Sequence, residues 1–219
     1  MQHFKTLSSY LSYLGLPEPE HPMLSVFNSK GDGYLPCPRE SSPPIMNDCY
    51  SISFKKYVAG DLNYGRTKYD FTNGALIFIA PRQVLKWDES VVFEQKGFSI
   101  NFHEDFLKGT ELALQIKKYG FFSYSVNEAL HLSPKEEKQI ESIVENIQIE
   151  YQNNQDVFSK EIIISQLNTL LKYANRFYER QFLNRKELSN NLLEQFNLQL
   201  SEYFESGQLQ EQGLFHNVT

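Results

Sequence analysis

Basic clusters are missing from this chain: no Lys/Arg-rich run occurs along its 219 residues, and the net charge is -6. Proteins that grip nucleic acid usually present a basic face, because phosphate contacts dominate that affinity. The chain alone is therefore not expected to hold DNA tightly. Cysteine is scarce as well: only Cys37 and Cys49 occur, with no CxxC pair. That usage fits the reducing cytoplasm, with both cysteines as buried small hydrophobes rather than a structural disulfide. Long apolar runs are absent from the opening Met1–Leu16, which is too short and too polar for a signal core or a membrane span. There is no internal repeat and no low-complexity tract.

What the sequence does contain is aromatic. It carries 17 Phe and 13 Tyr within an ordinary globular balance of 41% hydrophobic and 22% charged residues. Such content suits a core or pocket built from flat, partly polar rings. The length allows one large domain or two small ones, with a substantial core in either case.

The character of the chain changes near residue 103. Before it, Pro and Gly are frequent and short runs alternate in polarity; after it, Pro occurs once, at Pro134, and helical periodicity takes over. In the first part, Phe4, Leu7, Leu11 and Leu14 lie three or four apart and predict a short amphipathic helix over Phe4–Leu14. Residues 28–47, with Gly31, Gly33, Pro36, Pro38, Pro43 and Pro44, read as a long irregular loop.

Strand signals follow in quick succession. In Asp48–Lys56, Tyr50, Ile52 and Phe54 share one face, and Cys49, Ser51, Ser53 and Lys55 the other. Tyr64–Phe71 sends Thr67, Tyr69 and Phe71 to one side, with Arg66 and Lys68 opposite. Ala75–Ala80 is an apolar run between Gly74 and Pro81, as expected of a strand buried on both faces. Phe98, Ile100 and Phe102 alternate with Ser99 and Asn101. Many short strands with turns between them predict a small antiparallel barrel or sandwich.

The second part reads as three helices. Ser133, Pro134 and Glu136 form an N-cap, a first helical position and a capping box. Ile140, Ile143, Val144, Ile147 and Tyr151 then make one stripe. A second helix, about Phe158 to Phe182, carries Ile163, Leu167, Leu170, Leu171, Ala174, Phe177 and Tyr178 on its apolar face. A third starts at Asn184 and continues through Leu188, Leu192, Phe196, Leu200 and Tyr203. Amphipathic helices in series need a cover for their stripes, which each other, the barrel or a second copy of the chain could supply. The stripe of the second helix is rich enough in Ile, Leu and Phe to be expected at the interface of a homodimer, paired with itself across a two-fold axis. The division expected is a barrel with an N-terminal helix over 1–110, a helical dimerisation region over 111–206 and a polar tail over 207–219.

Chemistry-bearing patterns are few. His3, His21, His103, His131 and His216 form no HxH pair, so no metal site and no cofactor are expected. Neither a GxSxG nor a Gly-rich phosphate loop occurs, no catalytic residue stands out, and an enzyme is not expected. Ligand binding is the better use of a small barrel. On this alternation Tyr50, Ile52, Phe54, Tyr69, Phe71 and Phe78 point inward and line the cavity, Tyr50 and Tyr69 through hydroxyls that need partners. If the faces are inverted, Ser51, Ser53 and Lys55 line it instead. Arg66 and Lys68 could hold an anion, but alternating charges on an exposed strand face are the commoner arrangement.

Three stretches resemble AraC/XylS-type transcription regulators: YGRTKYDFTNGALIFIAPRQ (Tyr64 to Gln83), HEDFLKGTELALQIKKYGFFSYSVNEALHLSPKEE (His103 to Glu137) and NRFYERQFLNRKEL (Asn175 to Leu188). They occur in order, and the likeness runs from about Leu14 to Gly213. It implies an α+β fold, an antiparallel cupin-like β-barrel that senses a small-molecule effector, followed by α-helices that dimerise. In that family two helix-turn-helix units would follow Gly213-Leu214, whereas this sequence reads Phe215 to Thr219 and stops. DNA contact is thus expected only through a missing C-terminal domain. The residue 28–47 loop and the N-terminal segment are candidate lids over the barrel mouth. The alternative is a stand-alone cupin-type small-molecule-binding protein or a metal-dependent cupin enzyme.

Overall fold

The computed structural model describes residues 1–29, 44–55, 74–87, 97–122, 129–153 and 156–181, with strand segments at 34–36, 57–59, 62–64, 67–69 and 92–94. In chain order the first half contains β1 (Gln2–Phe4), α1 (Leu7–Tyr13), β2 (Leu24–Ser29), β3 (Tyr34–Pro36), β4 (Ile45–Asn47), β5 (Cys49–Lys55), β6 (Tyr57–Ala59), β7 (Leu62–Tyr64), β8 (Thr67–Tyr69), β9 (Ala75–Ile79), β10 (Leu85–Trp87), β11 (Val92–Glu94) and β12 (Gly97–His103). Short helical turns follow at Glu104–Leu107, α2 (Leu112–Gln115), Ile116–Lys118 and Gly120–Phe122. Then come β13 (Leu130–His131), α3 (Pro134–Gln152) and α4 (residues 159–181). The chain divides into two compact units, 1–178 and 179–219. The third expected helix, from Asn184 onward, lies outside the described residues.

The protein is a mixed α and β structure built on a five-stranded antiparallel sheet in the order β13-β9-β5-β12-β2. A second group runs β1-β4-β10-β7-β8, with β1 and β4 parallel, and three further strands pair as β3-β11-β6. The expected closed barrel is therefore not what the hydrogen bonding shows: among the described residues the strands fall into three sheets, and the main one is not closed into a barrel. Closure needs a ladder carried from edge to edge. Among the described residues the main ladder ends at β13 on one side and β2 on the other, and these two edges do not pair.

Local signals explain several elements. Around α1, Thr6 Oγ1 accepts from Ser9 N at the start. At the other end Gly15, at φ 70°, lets Gly15 N donate to Ser12 O and Leu16 N to Leu11 O. That pair of bonds is the Schellman arrangement, which closes a helix C-terminus through a left-handed residue. The helix is shorter than the periodicity predicts, because Gln2–Phe4 pair with Ile45–Asn47 as a strand instead. Ser133 and Glu136 do form a reciprocal capping box at the head of α3. Asp156 Oδ1 accepts from the backbone N–H groups of Phe158 and Ser159 at the head of α4, and those bonds lower its pKa.

Two sequence expectations change. Tyr64–Phe71 is not one strand: β7 and β8 pair antiparallel, with Tyr64 opposite Thr67. Within the expected loop of residues 28–47, β3 and β4 are short strands; the remainder, apart from 28, 29 and 44, is outside the described residues.

The main sheet is buried on both sides. On one face Leu24, Tyr50, Ile52, Phe54, Leu76, Phe78, Phe98, Ile100 and Phe102 join Ile140, Val144 and Ile147 of α3 and Leu167, Leu170 and Leu171 of α4 in one apolar cluster. On the other, Ala75, Ile77 and Ile79 pack with Phe4, Tyr10, Ile45 and Leu85. Tyr151 Oη also accepts from Glu20 N at 2.7 Å, fastening α3 to the segment that leads into β2. Among the described residues, no helix is long and apolar enough to cross a membrane.

Cys49 sits at 1% exposure against Leu7 and Leu11, and burial, aided by the Asp48 carboxylate, pushes its thiol up to about 12. Thiolate, not thiol, is the reactive form. In a Cys37→Ser variant at pH 8, Ellman's reagent is therefore expected to leave Cys49 unmodified until denaturant is added. Rapid reaction of the native protein would show that the α1 side of the sheet opens freely. Cys37 lies outside the described residues.

Candidate functional site

The face of the main sheet turned away from α3 and α4 carries a polar ladder. Ser51 and Asn101 are register partners on β5 and β12, as are Ser53 and Ser99. Alternation puts all four, and Ser25 opposite Asn101 on β2, on that one side. They are buried: Ser51 is 3% exposed, Asn101 2%, Ser99 and Ser25 8% each, and Ser53 9%.

Burying so many polar atoms is costly unless each finds a partner. Ser51 Oγ donates to Asn101 Oδ1 at 2.6 Å, Asn101 Nδ2 donates to Ser99 Oγ at 3.0 Å, and the Ser99 and Ser53 hydroxyls share a bond of 2.9 Å. The result is a continuous chain of amide and hydroxyl groups. Tyr10 of α1, 2% exposed, stands over its Ser51 end, and burial raises the pKa of its phenol. Lys55 closes the same face of β5, and burial lowers the pKa of its ammonium. Ile77 and Ile79, opposite Ser53 and Ser51, supply the apolar surroundings.

A second polar corner lies where β12 runs into the Glu104–Leu107 turn. Arg82 has φ 64°, the left-handed region that residues with a Cβ avoid. Its guanidinium grips both carboxylate oxygens of Glu104, at 2.8 and 3.0 Å, and Arg82 Nη1 lies 3.9 Å from Asp48. That bidentate bond holds the Glu104 carboxyl below its ordinary range. Gln83 braces the strained turn: its Oε1 accepts from Ala80 N and its Nε2 donates to Phe122 O. Among the described residues, no three His, Cys, Asp or Glu side chains gather so as to hold a metal ion.

Of the six residues expected to line a cavity, Tyr50, Ile52, Phe54 and Phe78 stand together on the helix-facing side. Tyr50 stacks on Phe102 with centroids 5.4 Å apart, and Phe78 meets Phe121 at 4.2 Å. They fill a core there, and Tyr50 also lines a surface recess. Tyr69 is placed in β8 and Phe71 lies outside the described residues, as does Arg66; Lys68 is in β8. Ser51 and Ser53 lie on the opposite face of β5, away from α3 and α4.

The seven residues expected at a dimer interface are likewise covered within one chain. Ile163, Leu167, Leu170, Leu171, Ala174, Phe177 and Tyr178 are each at most 6% exposed. An interface between copies would have to use other side chains. Sequence reasoning missed the Ser99–Asn101 contribution and the Arg82 corner. The first was visible in the alternation of β12; the second had no signal, because backbone strain at a non-glycine residue leaves no pattern.

No family model matches the chain, and no curated protein matches it in sequence.

Proposed function

We propose that this chain is the effector-sensing and dimerising portion of an AraC-type transcription regulator, and that it is not an enzyme. The carrying observation is the two-sided sheet: one face is a buried polar ladder, and the reverse face of the same strands is the bed of α3 and α4. Ser51 and Tyr50 are neighbours on β5 with opposite faces, so a ligand that shifts β5 acts on the packing of the helices without an intermediary. Coupling of this kind requires that the ligand favour one helix arrangement over the other.

In this reading the effector belongs on the polar face, under α1, in keeping with a cupin-like sensing domain. The partner is a second copy, held through the outer side of α3 and α4. There Ile149 is 59% exposed, Phe158 62% and Ile162 43%, all within about a turn of the connection between the two helices. Exposed apolar side chains grouped at one end of a helix pair mark an interaction surface.

The test is to fuse the whole chain to a DNA-binding domain that occupies its operator only when paired. Expected are repression of a reporter, a dimer by light scattering, and loss of both in Ile162→Asp. A monomeric chain that fails to repress would overturn the reading.

A further inference from the structure

A recess of about 270 Å³ opens beside the Arg82 corner, with the Tyr50 ring reaching it from β5. It is separate from the polar ladder, because Tyr50 lies on the opposite face of β5 from Ser51. Leu107 and Ile116 form its apolar walls, and both are 1% exposed. Its charged groups are Glu104, Asp105, Lys108 and Lys117.

The balance among those charges decides what fits. Glu104 is already engaged through both oxygens by Arg82, so its charge is largely cancelled within the protein. Asp105 has a side chain 61% exposed to water, 3.6 Å from His103 Nδ1. Lys108 and Lys117 make no ion pair among the described residues, and Lys117 is close enough for its charge to act on Glu104. What remains at the recess is two ammonium groups and a tyrosine hydroxyl against the single Asp105 carboxylate, a net positive balance above an apolar floor. In a chain of net charge -6, such a spot attracts a small anion where most of the surface repels one.

We propose that this recess binds small carboxylates with a compact apolar body, the carboxylate facing Lys108, Lys117 and the Tyr50 hydroxyl and the body resting on Leu107 and Ile116. The volume falls just below the range of roughly 300–1,000 Å³ typical for drug-sized ligands, so the occupant is small. Arg82 is the positioning residue: released from it, Glu104 would turn its charge against the ligand. The inference goes beyond the regulator reading and does not depend on it.

The probes are acetate, hexanoate and benzoate, with benzylamine as the isostere of opposite charge. Each is titrated against the full chain and followed through backbone amide resonances. Expected are saturable binding of benzoate or hexanoate with shifts centred on Leu107 and Ile116, weaker acetate, and no matching response to benzylamine. Lys108→Gln with Lys117→Gln should weaken the best probe about tenfold or more, since each lost charged hydrogen bond is substantial. Arg82→Gln should also weaken it, and Glu104→Gln added to that variant should restore it. Three results would each overturn the proposal: no saturable binding of any carboxylate, benzylamine binding as well as benzoate, or affinity indifferent to the two lysines. Both lysines are at the surface, and circular dichroism of the double variant separates lost binding from lost folding.

Discussion

Leu167→Asp and Leu171→Asp are expected to prevent folding altogether, not to release a folded monomer. Both leucines are 0% exposed and sit in the cluster shared by α3, α4 and the aromatic face of the sheet. An unpaired carboxylate placed there costs several kcal/mol in desolvation or in forced protonation, on top of the lost apolar contacts. A domain of this size has only about 5–15 kcal/mol to lose, so either substitution should consume most of the stability and both together all of it. Circular dichroism and urea unfolding read the outcome directly. Ile162→Asp on the outer side, at 43% exposure, should keep a cooperative transition and lose only the stability that pairing with a second copy adds. If the double aspartate variant folded as a monomer, the helices would have to be docked far more loosely than the buried stripe shows.

Gly97→Ala should cost about 2–4 kcal/mol, the sum of backbone strain and a steric clash. Gly97 opens β12 at φ 149°, where residues with a side chain are strained, and a Cβ built on it would stand 2.5 Å from the Phe54 carbonyl oxygen. That oxygen belongs to the main sheet and cannot swing aside. Its displacement would carry Phe54, which stacks on Phe98 at 6.1 Å and holds the registry of β5 with β12. Gly120→Ala is the control: no atom lies within 4 Å of its added Cβ, and its backbone is unstrained. A denaturation midpoint for Gly97→Ala as high as that of Gly120→Ala would mean the strand accommodates the methyl by moving, and that the tight pairing of β5 and β12 is not needed.

Much of the secondary structure was legible from short-range pattern. The capping box before α3, its stripe from Ile140 to Tyr151, the two-faced strand Cys49–Lys55 and the doubly buried Ala75–Ile79 all follow from residue spacing. The candidate site was legible only in half. Ser51, Ser53 and Lys55 were recognisable as one face of β5, but their joining with Ser99 and Asn101 depends on a pairing across 46 and 50 residues. Arg82 looks like any other surface arginine until the turn around it is built.

Alternation and helical spacing determined which residues of this protein share a face, because those periods are properties of the local backbone. They did not determine what each face meets. The tertiary structure decided that α3 and α4 take the aromatic side of the sheet, leaving the serines and Asn101 to bond to one another on the other. It also decided that the α4 stripe is buried in its own chain rather than against a second copy. The physical reason is that burial of apolar area is non-directional. A stripe of Ile and Leu is satisfied by any apolar partner, and only the path of the whole chain selects which one it reaches.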